Sequence, residues 1–138
     1  MHPDISDRVA AFLDEVMPIV VGTKRKNGVV KMDPAWYEFR DGHFWLNSWR
    51  GSRWLAAIER DKQASLLLMD PKDMTRVVHV ETTLVMTTEE GAPAHFDRLN
   101  ERYQVVGHDD PEPQTRVIIQ LEPTDVRSTL DWVAQCAQ

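Results

Sequence analysis

Cysteine is nearly absent: Cys136 is the only one in 138 residues. This excludes an internal disulfide framework and any zinc site built on several thiolates. No apolar run approaches the roughly 20 residues that a helix needs to cross a bilayer, so no membrane segment is expected. The stretch from Met1 to Val16 carries acidic residues and lacks a basic stretch followed by an apolar one. A secretory leader is therefore not expected, and a cytoplasmic location is. Positive charge is also scarce, with 16 Lys and Arg against 22 Asp and Glu and a net charge of −6 at pH 7. Without the positive field that drives phosphate-backbone recognition, no nucleic-acid partner is expected. The patterns H-E-x-x-H, C-x-x-C and G-x-S-x-G do not occur, and His2, His43, His79, His95 and His108 show no paired ligand spacing. Chemistry performed by such a chain has to be borrowed from a cofactor.

What is present, 42% apolar and 28% charged residues, has the composition of one soluble domain spanning 1–138. Val9, Phe12, Leu13 and Val16 recur at helical spacing behind Asp4 or Ser6 as a cap, with Pro18 ending the helix. Ile19 to Thr23 reads as a strand, Asn27-Gly28 as a two-residue hairpin turn, Val29 to Phe39 as the return strand, Asp41-Gly42 as a second turn and His43 to Ser48 as a third strand. After the break Trp49-Arg50-Gly51, Ser52 caps a short helix with Trp54, Leu55 and Ile58 on one face. Ala64 to Met69 suits a strand buried on both faces, and Asp70 to Asp73 a loop. Thr75 to Met86 reads as a long strand in which Val78, Val80 and Leu84 share a parity and His79 points the other way. Pro93 opens a helix with Phe96, Leu99 and Tyr103 on its face, and Val106 to Pro113 reads as a surface loop. Thr115 to Leu121 is the last strand, and Ser128 with Asp131 forms a capping-box pattern before Leu130, Val133 and Ala134. The order predicts a mainly β (α+β) protein: a six-stranded antiparallel split β-barrel with short peripheral helices.

The segment from His43 to Arg60 carries the most chemical information. A strand ends in Asn47-Ser48, Gly51 permits close backbone approach, and a helix starts at Ser52-Arg53. The first turn of a helix presents free N–H groups and the positive end of the dipole, to which Ser52 adds a hydroxyl and Arg53 a fork for two phosphate oxygens. Arg50 lies close by. The same residues also describe an ordinary Ser-capped helix with a solvated arginine. Lys24, Arg25 and Lys26 either attract an anionic ligand or form a solvated turn. Of the five tryptophans Trp36, Trp45, Trp49, Trp54 and Trp132, three cluster around this corner. They form walls suited to a flat heteroaromatic ligand, with Trp45 read as core packing.

Pro34-Ala35-Trp36-Tyr37-Glu38, Asp41-Gly42, Phe44-Trp45-Leu46-Asn47-Ser48, Gly51-Ser52-Arg53, Arg60-Asp61 and Ser65-Leu66-Leu67 follow one another in an order that resembles the pyridoxamine 5′-phosphate oxidase-like superfamily. The resemblance is closer to its flavin- and deazaflavin-dependent oxidoreductase branch. It continues through Arg76 to Glu81, Arg98 to Tyr103 and Arg116 to Ile119, covering nearly the whole chain. It implies a split-barrel homodimer with cofactor sites in the grooves between subunits, binding FMN or the deazaflavin coenzyme F-420. It implies that Ser52 and Arg53 hold the cofactor phosphate, and that Met32, Asp33, Pro34, Ala35 and Trp36, with Asn47 and Ser48, lie against the ring. The implied reaction is hydride transfer to a small conjugated or heteroaromatic substrate, the protein supplying orientation and exclusion of water. A non-catalytic module that binds a flavin, haem or another planar ligand is the other reading. The chain departs from the family pattern at Trp54, where a lysine is common, at Ala57, where an asparagine is frequent, and at His79, where an acidic residue is frequent. Loss of one charge-assisted phosphate contact costs roughly 1.5–3 kcal/mol.

Overall fold

The computed structural model describes residues 5–105 and 110–132. His2, Asp4, Val106, His108, Val133, Ala134 and Cys136 lie outside the described residues. The caps form as the local sequence predicts. Ser6 Oγ accepts from Val9 N at the start of α1 (Asp7–Asp14), and Ser52 Oγ accepts from Leu55 N at the start of α2 (Arg53–Asp61). Pro93 lies in the first turn of α3 (Ala92–Arg102). α1 ends four residues before Pro18, leaving Val16 half exposed rather than on the helix face.

The strands are β1 (Ile19–Lys24), β2 (Val30–Ala35), β3 (Tyr37–Arg40), β4 (His43–Trp49), β5 (Gln63–Asp70), β6 (Asp73–Thr88) and β7 (Arg116–Ser128). They form one antiparallel sheet in the order β2-β1-β5-β6-β7-β4-β3. The sheet curls into the half-barrel of a split-barrel fold. Seven strands are present among the described residues, not six, because the expected return strand Val29–Phe39 breaks at Trp36. There the indole leaves the ladder and stacks on Tyr103, with centroids 5.1 Å apart and planes 12° from parallel. β2 then pairs with β1, while β3 pairs with β4 at the opposite edge of the sheet. A short run of chain thus supplies both edges, and Pro34 is tolerated because β2 is an edge strand.

Other readings are corrected in detail. β5 is buried on one face only: Ala64, Leu66 and Leu68 point inward, while Gln63 and Ser65 are exposed. β7 runs on to Ser128, because Pro123 falls beside a register shift in the β6–β7 ladder and does not stop it. Asp41 and Gly42, with φ of 56° and 75°, make the expected two-residue turn. The Asn27-Gly28 turn instead closes three residues between Arg25 N and Val29 O at 2.8 Å, with only Gly28 at positive φ. Trp45 is not core: Arg40 lies over its ring at 4.3 Å, and its Nε1 donates to Arg40 O. Ser128 Oγ caps Leu130 N, but Asp131 pairs with Arg8 rather than completing a capping box. The core lies inside the curl, where Phe12, Leu13, Tyr37, Phe44, Leu46, Ile58, Leu68, Val78 and Ile119 are almost wholly buried.

Candidate functional site

Two concavities draw on neighbouring residues at the start of α2. The first is a cleft of about 460 Å³. Its walls come from the β2–β3 break (Pro34, Ala35, Trp36), the end of β4 (Asn47, Ser48, Trp49), α2 (Trp54) and α3 (Phe96, Leu99, Tyr103). The second, a groove of about 320 Å³, is lined by Lys24, Arg25, Lys26, Lys31, Arg53 and Arg60 beside Ala56 and Ala57. Successive residues on a helix point about 100° apart, so Arg53 faces the groove while its neighbour Trp54 faces the cleft. On β2, Lys31 reaches the groove and Ala35, four residues on along the same row, reaches the cleft. At a strand's rise this separates the two by roughly 13 Å.

The cleft holds Pro34, Ala35, Trp36, Asn47, Ser48 and Trp54 of the residues read from the sequence. The others lie elsewhere. Met32 is exposed on the opposite face of β2, and Asp33 pairs with Lys31 at 2.6 Å. Arg50 sits between Glu59 and Glu89, 3.0 Å from each, so two carboxylates already occupy its charge. Ser52 is buried with its hydroxyl committed to the helix cap. Arg53, by contrast, makes no hydrogen bond or ion pair among the described residues and is exposed to the groove. Lys24, Arg25 and Lys26, taken singly, form a solvated turn. Lys31 and Arg60 complete a cluster with them that only the closed fold creates.

Two polar atoms of cleft residues have no partner among the described residues and no access to water: Asn47 Oδ1 and Ser48 Oγ. Leaving such groups unsatisfied costs about 1–3 kcal/mol each, and the two lie on opposite rows of β4, Ser48 on the buried row. Asn47 Nδ2 is fully used, donating to Ala92 O at 3.0 Å and to His95 Nδ1 at 3.1 Å. The residues that sequence reasoning missed stand behind this amide. His95 is buried on α3, and Glu38 on β3 lies against it with Arg98 and Arg40. From the sequence, Phe96, Leu99 and Tyr103 make the helix face and His95 is given no role; its place beside Phe96 is the local signal of burial, and nothing local links it to Asn47. Burial holds the His95 imidazole below its usual pKa, against the opposing pull of Glu38. For Glu38, burial raises the pKa, but the hydrogen bond and charge of Arg98 outweigh it and keep the carboxyl below its ordinary value. Tyr103 donates to Met17 O at 2.7 Å, and burial pushes its phenol up. Among the described residues, no carboxylate, imidazole or thiol lines the cleft, and no group of side chains is placed to hold a metal ion.

These residues fit a planar ring that carries an anionic tail. Aromatic and proline walls suit the ring, and the exposed Arg53, without a partner among the described residues, suits the tail. Fold and site together define a split-barrel protein with an aromatic-walled cleft and a basic groove at the start of α2. The family model described as pyridoxamine 5′-phosphate oxidase matches residues 5–130, and the chain belongs to that family of flavin-binding, oxidoreductase-type proteins. A search of curated proteins found no match. Among solved structures, one described as an F-420 reductase superposes with a TM-score of 0.82 at 17% identity, covering 89% of this chain and 98% of that one. A conserved hypothetical protein from Mycobacterium tuberculosis gives 0.69 at 24% identity, covering 93% and 89%. A FAD-binding protein from Mesorhizobium loti gives 0.63 at 12% identity, covering 88% and 92%. At these identities the likeness shows the fold. No helix among the described residues is long and apolar enough to cross a membrane.

Proposed function

We propose that the protein is an oxidoreductase that binds FMN or the deazaflavin coenzyme F-420 and exchanges a hydride with a small conjugated or heteroaromatic substrate. The observation that carries this reading is an aromatic-walled cleft and a basic groove whose linings include the neighbouring residues Trp54 and Arg53 in the first turn of α2 and, on one row of β2, Ala35 and Lys31. Pro34, Ala35 and Trp36 lie along one side of the ring, and Asn47 and Ser48 along the other. Trp54 takes the place of a cation with an apolar wall. Arg53, assisted by Lys24, Arg25 and Lys26, holds the anionic tail. When bound, the ring supplies the hydride chemistry. The side chains bind and orient the two reactants and keep water away, and none in the cleft is assigned a proton-transfer role.

The reading includes a homodimer. The outward row of β2 carries Val30 and Met32, 60% and 71% exposed. Beside it is a shallow hollow over Gly22, Ser65 and Leu67 that a second copy covers. The second reading, a module that holds a flavin, haem or another planar ligand without turnover, is favoured by one observation: Trp54 in the cleft where the family commonly has a cation. Turnover of the reduced cofactor with a generic acceptor separates the two.

Titrating purified protein with FMN and with F-420, followed by fluorescence, tests the proposal. Binding of one of them below about 100 μM, near −5.5 kcal/mol, is expected; failure of both overturns it. Arg53→Ala weakens binding at least tenfold with the thermal midpoint unchanged, whereas unchanged affinity places the anion elsewhere.

A further inference from the structure

We infer that Arg116 anchors the substrate: it holds a carboxylate on the small planar molecule that meets the ring in the cleft, so that the second reactant is a conjugated or aromatic acid. This rests on the reading proposed above and adds the chemical class of the substrate. Among the described residues, Arg116 is the only charged side chain that lines the cleft. It pairs with Trp49 across the β4–β7 ladder, so the two side chains leave the sheet on the same face, and Trp49 is itself a wall of the cleft. The guanidinium lies over the Phe96 ring of α3, 3.7 Å from its centroid. Nε donates to Asp110 Oδ2 at 2.6 Å. The cation is thus wedged between a phenyl face and a carboxylate, with 16% of its side chain still exposed.

A guanidinium has five N–H donors, and Nε spends one of them. Those on Nη1 and Nη2 make no hydrogen bond to a described residue. That end of the fork matches the two oxygens of a carboxylate. Stacking on Phe96 and the bond to Asp110 fix the plane in advance, so little side-chain freedom is lost when an anion binds. Asp110 also decides which anion fits. Its charge offsets part of the cation, so a singly charged group is favoured over a dianion such as phosphate. In the groove, by contrast, Arg53 has no partner among the described residues and stands beside Lys24, Arg25 and Lys26. Anions are therefore sorted, the cofactor's tail to the groove and the substrate's single carboxylate to the cleft.

The test uses the full chain, with and without saturating FMN or F-420, and two probes of one shape, trans-cinnamate and its neutral amide. Calorimetry at low salt is expected to show a preference of at least tenfold for cinnamate, and the Arg116 side-chain nitrogen resonances move with cinnamate and not with the amide. Arg116→Gln brings the preference to within twofold and leaves cofactor affinity within twofold of the wild type. Arg53→Ala does the reverse, weakening the cofactor and keeping the preference. Equal affinity of the wild-type protein for the two probes, or a preference that survives Arg116→Gln or disappears in Arg53→Ala, overturns this inference and leaves the cofactor reading intact. A cinnamate preference lost in Arg116→Gln, in a protein that binds neither cofactor, keeps Arg116 as a carboxylate site and overturns the oxidoreductase reading. Should Arg116→Gln not fold, the wild-type preference and the Arg116 resonances decide the matter, and resonances that cinnamate leaves unmoved overturn the inference.

Discussion

Tyr37 ties three parts of the chain together through one residue. Its hydroxyl reaches Leu13 O and Glu15 O, each at 2.9 Å, and its carbonyl accepts from Arg102 Nε at 3.0 Å. The ring is wholly buried, and burial pushes the phenol far above its ordinary pKa. Tyr37→Phe keeps the packing but leaves Leu13 O without that donor, while Glu15 O retains Arg102. The expected cost is about 1–2 kcal/mol in urea unfolding, with ligand affinity little changed. At the same scale, His95 makes stability depend on pH. Its folded pKa lies below the unfolded value near 6.5, so the stabilisation is complete above that pH and is lost as pH falls through the folded value. The groups facing it are Glu38 and Arg40 from β3, Arg98 from α3 and Asn47 from β4. Glu38, also lowered, extends the loss at more acid pH. Urea midpoints from pH 7.5 to 5 therefore fall in the wild type and fall less in His95→Asn; parallel curves would assign the acid sensitivity to other groups.

Between β4 and α2, the connection Arg50-Gly51-Ser52 decides how the two concavities are divided. Gly51 has φ of 113°, and a Cβ there would come within 2.3 Å of the Trp49 ring. The strand therefore hands over to the helix with an indole lying flat on a glycine, and the first turn of α2 opens directly against it. Gly51→Ala forces Trp49 aside and strains the backbone, at a cost of roughly 1–3 kcal/mol. Because Trp49 lines the cleft, ligand affinity drops as well. A Gly51→Ala protein with wild-type urea midpoint and affinity would show that Trp49 moves freely. Arg50, in the same connection, serves the elements rather than a ligand: it fastens α2, through Glu59, to Glu89 beyond the end of β6. Charge reversal at Glu89 should consequently loosen this junction without touching Arg53.

For the whole molecule, the curl of the sheet buries one face and leaves the outward rows of β2 and β1 beside β5 in solvent. Exposed Val30 and Met32 on an edge strand invite another surface, since an uncovered apolar edge is a pairing hazard. Analytical ultracentrifugation at micromolar concentration is expected to show a species of twice the 15.9 kDa chain mass. Met32→Glu shifts it toward monomer, and a wild-type monomer would end the dimer proposal.

Much of the local order was legible in the residues themselves. Ser6 and Ser52 cap helices, Asp41-Gly42 turns a hairpin, and Val78 and Val80 alternate with His79, because caps, turns and period-two burial are decided within a few residues. Their order along the chain also carried the family likeness that the match over residues 5–130 bears out. What the residues could not decide by themselves depended on closure of the sheet. The split at Trp36 needs Tyr103 as its stacking partner, 67 residues further on. Arg50 is drawn to Glu89, 39 residues away, and Arg53 is left without a partner among the described residues, beside the hairpin cations. His95 meets Asn47 across 48 residues. Partners so far apart in the chain are chosen by how the strands curl together, a choice made by burial across the whole core and not by any local stretch of sequence.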